Sequence, residues 1–171
     1  MPTKPKLKLN FILPFVNLTG GIKILFEHAN RLVAMGHQVT ITYPGRLFHG
    51  DQYQTENNSL WWRIIEAPAR NIKYWFFVEL LHKTDANWFP LDDRIKLSKV
   101  ADLSPRYIKP ADIVIATTDQ VADYVNNYPK QMGIKLLFCQ DYDIWARPTK
   151  YVDRALKYPL HLITIGAWQE K

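Results

Sequence analysis

Short apolar runs, each followed by a helical pattern, constrain this chain more than any other feature. The run from Leu7 to Leu13 precedes a helical stretch from Ile22 to Met35, and Val39-Thr40-Ile41-Thr42-Tyr43 follows as a second strand. Later, Asp112-Ile113-Val114-Ile115-Ala116-Thr117 leads into a helical stretch from Val121 to Tyr128, which Pro129 stops. Lys135-Leu136-Leu137-Phe138-Cys139 is the next strand, with a short helix over Asp153 to Tyr158 and a last strand over Leu160 to Ile165. A strand that is apolar without alternation is buried on both faces, which requires helices above and below it. Such strands, joined through helices, make a parallel sheet with right-handed crossovers. The expected class is α/β, a parallel sheet with helices on both faces.

The first helix is the clearest element. Ile22, Leu25, Phe26, Ala29, Leu32 and Val33 recur at helical spacing, while Lys23, Glu27, Asn30 and Arg31 fall on the other side. Asn17 or Thr19 is the expected N-cap and Gly36 the expected stop. Between strand and helix stands Gly20-Gly21, where the sequence predicts a loop tight enough to demand glycine. Glycine lets backbone approach a ligand, and the helix start behind it offers N–H groups to an anion. The pair is not a dinucleotide fingerprint, because Ile24 stands where the third glycine belongs, and no Gly-Lys-Ser/Thr follows to make a P-loop. Alone, a Gly-Gly pair reads first as a tight turn and second as a phosphate site.

A chain of 171 residues reads as one domain. Residues 44–59 are rich in turn formers. Leu60-Trp61-Trp62 and Ile64-Ile65 read as a short helix ending at Pro68, and Ile72 to Leu81 as helix or strand. A further helix begins at Ala167-Trp168. The net charge of +6 comes from dispersed Lys and Arg without a nucleic-acid-binding motif, so no nucleic-acid partner is expected. The lone Cys139 excludes an internal disulfide, fits a reducing compartment and reads as a small buried hydrophobe. His28, His37, His49, His82 and His161 are scattered, and Asp92-Asp93 reads as a solvated loop beside Pro90, so no metal is expected. Without a signal peptide or a spanning run of ~20 apolar residues, the expected location is cytoplasmic. Two readings stay open for Trp61-Trp62-Arg63 and Tyr74-Trp75-Phe76-Phe77 with Arg70 and Lys73. They pack the sheet or the acceptor cleft, or they touch a membrane surface, although Glu66 and Glu79 interrupt a basic face.

The order of these motifs carries a resemblance. Asn17-Leu18-Thr19-Gly20-Gly21, then Glu27, Ala29, Leu32, Gly36-His37 and Val39-Thr40, resembles the opening of GT-B glycosyltransferases of family 4. Asp112-Ile113-Val114-Ile115-Ala116-Thr117 resembles that family's Ala-Asp-Val-Val-Ile-Ala-Thr strand. Phe138-Cys139-Gln140-Asp141 resembles the strand whose end carries a His-Asp pair, with glutamine in place of histidine. Gln140-Asp141-Tyr142-Asp143-Ile144-Trp145 is most similar to rhamnosyltransferase-type members, which have Gln-Asp-Tyr-Glu there. The resemblance spans most of the chain outside residues 44–100.

The resemblance implies that residues 1–171 form a Rossmann-like, acceptor-side N-terminal domain, with a donor-binding domain carrying Glu-x7-Glu beyond Lys171. It implies retaining transfer from a nucleotide sugar, a co-substrate rather than a cofactor, to a glycan or lipid-linked acceptor. The setting would be polysaccharide biosynthesis in the cytoplasm or at the inner face of the membrane. Gly20 and Gly21 would lie against the donor diphosphate, and Gln140 and Asp141 would face the transferred sugar as the catalytic pair. Asp141 would position rather than attack, and glutamine cannot serve as acid or base but can donate and accept hydrogen bonds. Thr117, Thr118, Tyr142 and Trp145 would line the acceptor side. The alternative is a free-standing, non-catalytic α/β module that binds a phosphate-bearing or sugar ligand.

Overall fold

The computed structural model describes residues 5–45, 86–140 and 149–166. In chain order these form β1 (Lys8–Ile12), α1 (Gly20–Ala34), β2 (Gln38–Pro44) and β3 (Lys96–Val100). Then come β4 (Ile113–Ala116), α2 (Asp119–Asn126), β5 (Ile134–Cys139), α3 (Thr149–Leu156) and β6 (His161–Thr164). The strands pair in parallel throughout, in the order β3-β2-β1-β4-β5-β6. This is the α/β, Rossmann-like arrangement expected.

The lack of alternation in β1 has a direct cause. Leu9 and Phe11, with Leu13 just beyond, enter a core shared with Ile22, Leu25, Phe26, Ala29 and Val33 of α1. Ile12 points the other way and joins Val114 and Ala116 of β4, Val121, Ala122 and Val125 of α2, and Ala155 of α3. Both faces of the central strands are therefore apolar and covered. Asn10 is the polar exception, only 2% exposed. Its Oδ1 accepts from the Thr42 hydroxyl at 2.8 Å, so the burial of both groups is answered by a hydrogen bond.

Gly36 closes α1 as expected. Its φ is +94°, and the His37 N–H bonds to the Leu32 carbonyl while the Gly36 N–H bonds to that of Val33. Those two bonds satisfy the last carbonyls of the helix, and the left-handed residue between them suits glycine. The reading of Gly20-Gly21 as a tight loop is corrected. The two residues form the first turn of α1 itself, with Thr19 at the N-cap position, and neither has a positive φ. The sequence places the helix start late because two glycines read as a break, whereas burial of Ile22, Leu25 and Phe26 holds the turn.

Other boundaries differ for similar reasons. The third helix starts at Thr149, upstream of the expected Asp153. The strand β3 has no counterpart in the sequence reading. Lys96-Leu97-Ser98-Lys99-Val100 is largely exposed at the sheet edge, where one neighbour suffices and lysines discourage further pairing. In β5 only Leu137 and Phe138 are buried, and Ile134 is 56% exposed, so that strand is less enclosed than expected. The expectations for residues 46–85 and from Ala167 onward lie outside the described residues, and so do Asp141, Tyr142 and Trp145. Among the described residues, no helix is long and apolar enough to cross a membrane.

Candidate functional site

In this strand order β1 and β4 are neighbours whose following helices leave to opposite faces of the sheet. The chain segments after them diverge, and the crevice between them at the carboxyl ends is where open α/β sheets hold ligands. A cavity of about 240 Å³ opens there, lined from β1–α1 by Pro14, Phe15, Thr19, Gly21, Ile22 and Leu25. Thr117, Thr118 and Asp119 line it from the β4 end, and Leu137, Phe138, Cys139 and Gln140 from the β5 end. Val152 and Leu156 of α3 complete the wall.

Each side chain is held by its element. The buried Thr117 hydroxyl donates to the Ile12 carbonyl at 2.8 Å, pinning the end of β4 to the end of β1. Thr118 is the N-cap of α2, and its hydroxyl accepts from the Val121 N–H at 3.3 Å. With Asp119 in its first turn as well, the positive end of α2 already has its counter-groups. The start of α1 is different. Thr19 is extended at the cap position but its side chain makes no capping hydrogen bond, and no acidic residue sits in the first turn. The Lys23 N–H makes the first intrahelical bond, to the Thr19 carbonyl. The N–H groups of Gly20, Gly21 and Ile22 thus precede the first intrahelical bond and face the end of the helix.

Gln140 closes the arrangement. A Cβ built on Gly21 would lie 3.0 Å from its Oε1 and 3.8 Å from its Cδ, whereas one built on Gly20 meets nothing within 4 Å. The fold therefore brings together Gly21, Thr117, Thr118 and Gln140, with Gly20 beside them. Cys139 is half-buried and lines the cavity, a correction to its reading as a buried hydrophobe. It lies at the rim because β5 ends there.

Among the described residues, His28 and Asp92 have structural partners. His28 pairs its Nδ1 with the Ile24 carbonyl at 2.8 Å and sets its ring 5.4 Å from that of Phe138. Asp92 accepts from the Arg94 guanidinium at 2.7 and 2.9 Å, a hydrogen bond that lowers its carboxyl to about 2. Among the described residues, no group of His, Cys, Asp and Glu could hold a metal ion. Sequence reasoning missed the α3 wall, although Val152 and Leu156 stand at the i, i+4 spacing of one helix face. It also missed what ties α3 to α2. The carboxylate of Asp123 accepts from Arg154 at 3.1 and 3.2 Å and from the Tyr158 hydroxyl at 2.5 Å.

No family model matches this chain, and no curated protein matches it. Solved structures with a related layout include an alpha-glucosyltransferase in complex with UDP and a 13-mer DNA containing an HMU base. The TM-score is 0.48 at 11% identity, over 94% of this chain and 38% of that one. Another is an alpha-glucosyltransferase in complex with UDP and a 13-mer DNA containing a central A:G mismatch. There the TM-score is 0.42 at 12% identity, over 89% of this chain and 36% of the other. The chain thus spans well under half the length of either. At these scores the likeness carries no argument about activity, and the fold stands on the strand order itself.

Proposed function

We propose that this chain is the acceptor-side half of a nucleotide-sugar-dependent glycosyltransferase of GT-B type, similar to family 4. The supporting observation is the meeting of Gly21 and Gln140 at the switch point, since the two motifs that carry the resemblance converge on one cavity. In this reading the first turn of α1 receives the donor diphosphate, and the N–H groups of Gly20 and Gly21 stabilise the charge that develops on the leaving group. Thr117 and Thr118 form the floor. Gln140 supplies a hydrogen bond without acid–base chemistry. Asp141, next in sequence, positions the transferred sugar, and Tyr142 and Trp145 belong to the acceptor side. A second domain beyond Lys171, with Glu-x7-Glu, binds the nucleotide. Transfer is retaining, needs no metal or cofactor, and delivers a sugar to a glycan or lipid-linked acceptor in polysaccharide assembly. In this reading the protein works in the cytoplasm or at the inner face of the membrane.

Titration of the chain with inorganic pyrophosphate, followed by amide NMR, tests the reading. The backbone amides of Gly20, Gly21 and Ile22 should move and saturate together. Unchanged amides there at millimolar pyrophosphate would sink it. The downstream reading frame separates the half-enzyme from the free-standing module: Glu-x7-Glu within a further α/β domain supports the former.

A further inference from the structure

We propose that α3 is a gate over the cavity, latched shut by the Asp123 carboxylate. This rests on the reading of that cavity as the ligand site and adds how a ligand reaches it. The helix is eight residues long, too short to hold itself together without packing. Its side chains divide three ways. Ala155 enters the apolar core with Val121, Ala122 and Val125 of α2. Val152 is also buried, yet it joins neither apolar core of the sheet and faces the cavity, as does Leu156, which is 38% exposed. Thr149, Lys150, Asp153 and Arg154 are exposed.

The latch is polar. Arg154, in the last turn of α3, donates to both carboxylate oxygens of Asp123, and Tyr158, just past that turn, donates to one of them. Asp123 stands on a fixed element, since Val121, Ala122 and Val125 of α2 are fully buried and Thr118 caps its start. The two helices are thus held differently. A filled core holds α2, whereas α3 has a small side chain in that core and charge-assisted bonds beside a void. The free energy of a local opening is set by the contacts it breaks and the apolar surface it uncovers. Both are small here once the latch is released, because Val152 and Leu156 already face the cavity. Opening carries those two side chains away from Leu137, Cys139 and Gln140 and uncovers the cavity on its β5 side.

Native-state hydrogen exchange at rising urea tests the gate. The hydrogen-bonded amides of α3 should exchange faster than those of β1 and β4, through an opening that urea barely promotes. Asp123→Asn should speed the α3 exchange about tenfold. Should that variant not fold, Tyr158→Phe, which keeps the Arg154 ion pair, should speed it severalfold. Cys139, the chain's one cysteine and part of the cavity wall, should react faster with a maleimide in the same variants. Amides of α3 as urea-dependent as those of β1 would overturn the gate, and so would Cys139 labelling that neither variant changes. None of these readouts needs a ligand. Glycine amides that answer pyrophosphate while α3 stays shut would overturn the gate alone, and silent glycine amides beside an opening α3 would overturn the proposed function alone.

Discussion

Gly21 and Gln140 touch across the topological switch point: a Cβ on Gly21 would stand 3.0 Å from the Gln140 Oε1. One residue opens the first helix and the other follows the fifth strand, so their contact exists only because β1, β4 and β5 are adjacent.

The two glycines should respond differently to alanine. Both are helical, and a Cβ at Gly20 meets nothing within 4 Å, so Gly20→Ala should stabilise the chain by about 0.5–1 kcal/mol. Gly21→Ala must push the flexible Gln140 side chain aside by a few tenths of an ångström. The fold should survive, but pyrophosphate affinity should fall severalfold. Urea denaturation and the titration check the pair, and equal behaviour at both positions would show the contact to be incidental.

Asp123 should matter more than an exposed ion pair. It is 6% exposed and holds both Arg154 and Tyr158, which anchors the helix that walls the cavity. Asp123→Asn should cost roughly 1–2 kcal/mol, since an amide replaces charge-assisted bonds in a buried site. Chemical denaturation measures the cost, and a change below about 0.5 kcal/mol would count against the anchoring role.

Alkaline pH should destabilise the fold through Tyr128. Burial pushes its hydroxyl well above the ordinary value, and that hydroxyl donates to the Leu103 carbonyl at 2.7 Å. The unfolded chain ionises near pH ~10 while the folded chain keeps its proton. This contribution is therefore complete below that pH and is lost as pH rises toward the folded value. Burial raises Tyr158 in the same direction. Tyr128→Phe should cost about 1–2 kcal/mol at neutral pH and flatten the decline above pH ~10. An unchanged alkaline slope in thermal melts would refute the assignment.

Asn10 and Thr42 should be strongly coupled. Removing one partner, as in Thr42→Val, leaves a buried polar atom unsatisfied and should cost about 1–3 kcal/mol. Asn10→Leu with Thr42→Val removes both and should cost less than the sum of the single changes. A double-mutant cycle reads the coupling directly, and additivity would mean the hydrogen bond contributes little.

Residues and period were enough to place β1, β2, β4, α1 and α2. In each, the signal is local: uninterrupted apolar residues where both faces are buried, or apolar residues returning every turn. Gly36 was equally legible, because a positive φ after a helix is a local demand that glycine meets. The edge strand β3 was not legible, since pairing on one side lets Lys96 and Lys99 face solvent and erases the apolar signature. Of the candidate site, Gly20, Gly21, Thr117, Thr118 and Gln140 were named from motifs, whereas the wall from α3 was not.

The sequence by itself determined most of the strands and helices, β3 excepted, and that the central strands need cover on both faces, because those properties are written in the spacing of neighbours along the chain. Only the tertiary structure decided which ends meet. Strand order set Thr117 on the Ile12 carbonyl and Gln140 on Gly21, and core burial drew the two glycines into the helix rather than a loop. Contacts of that kind depend on crossovers between distant segments, and no local period encodes them.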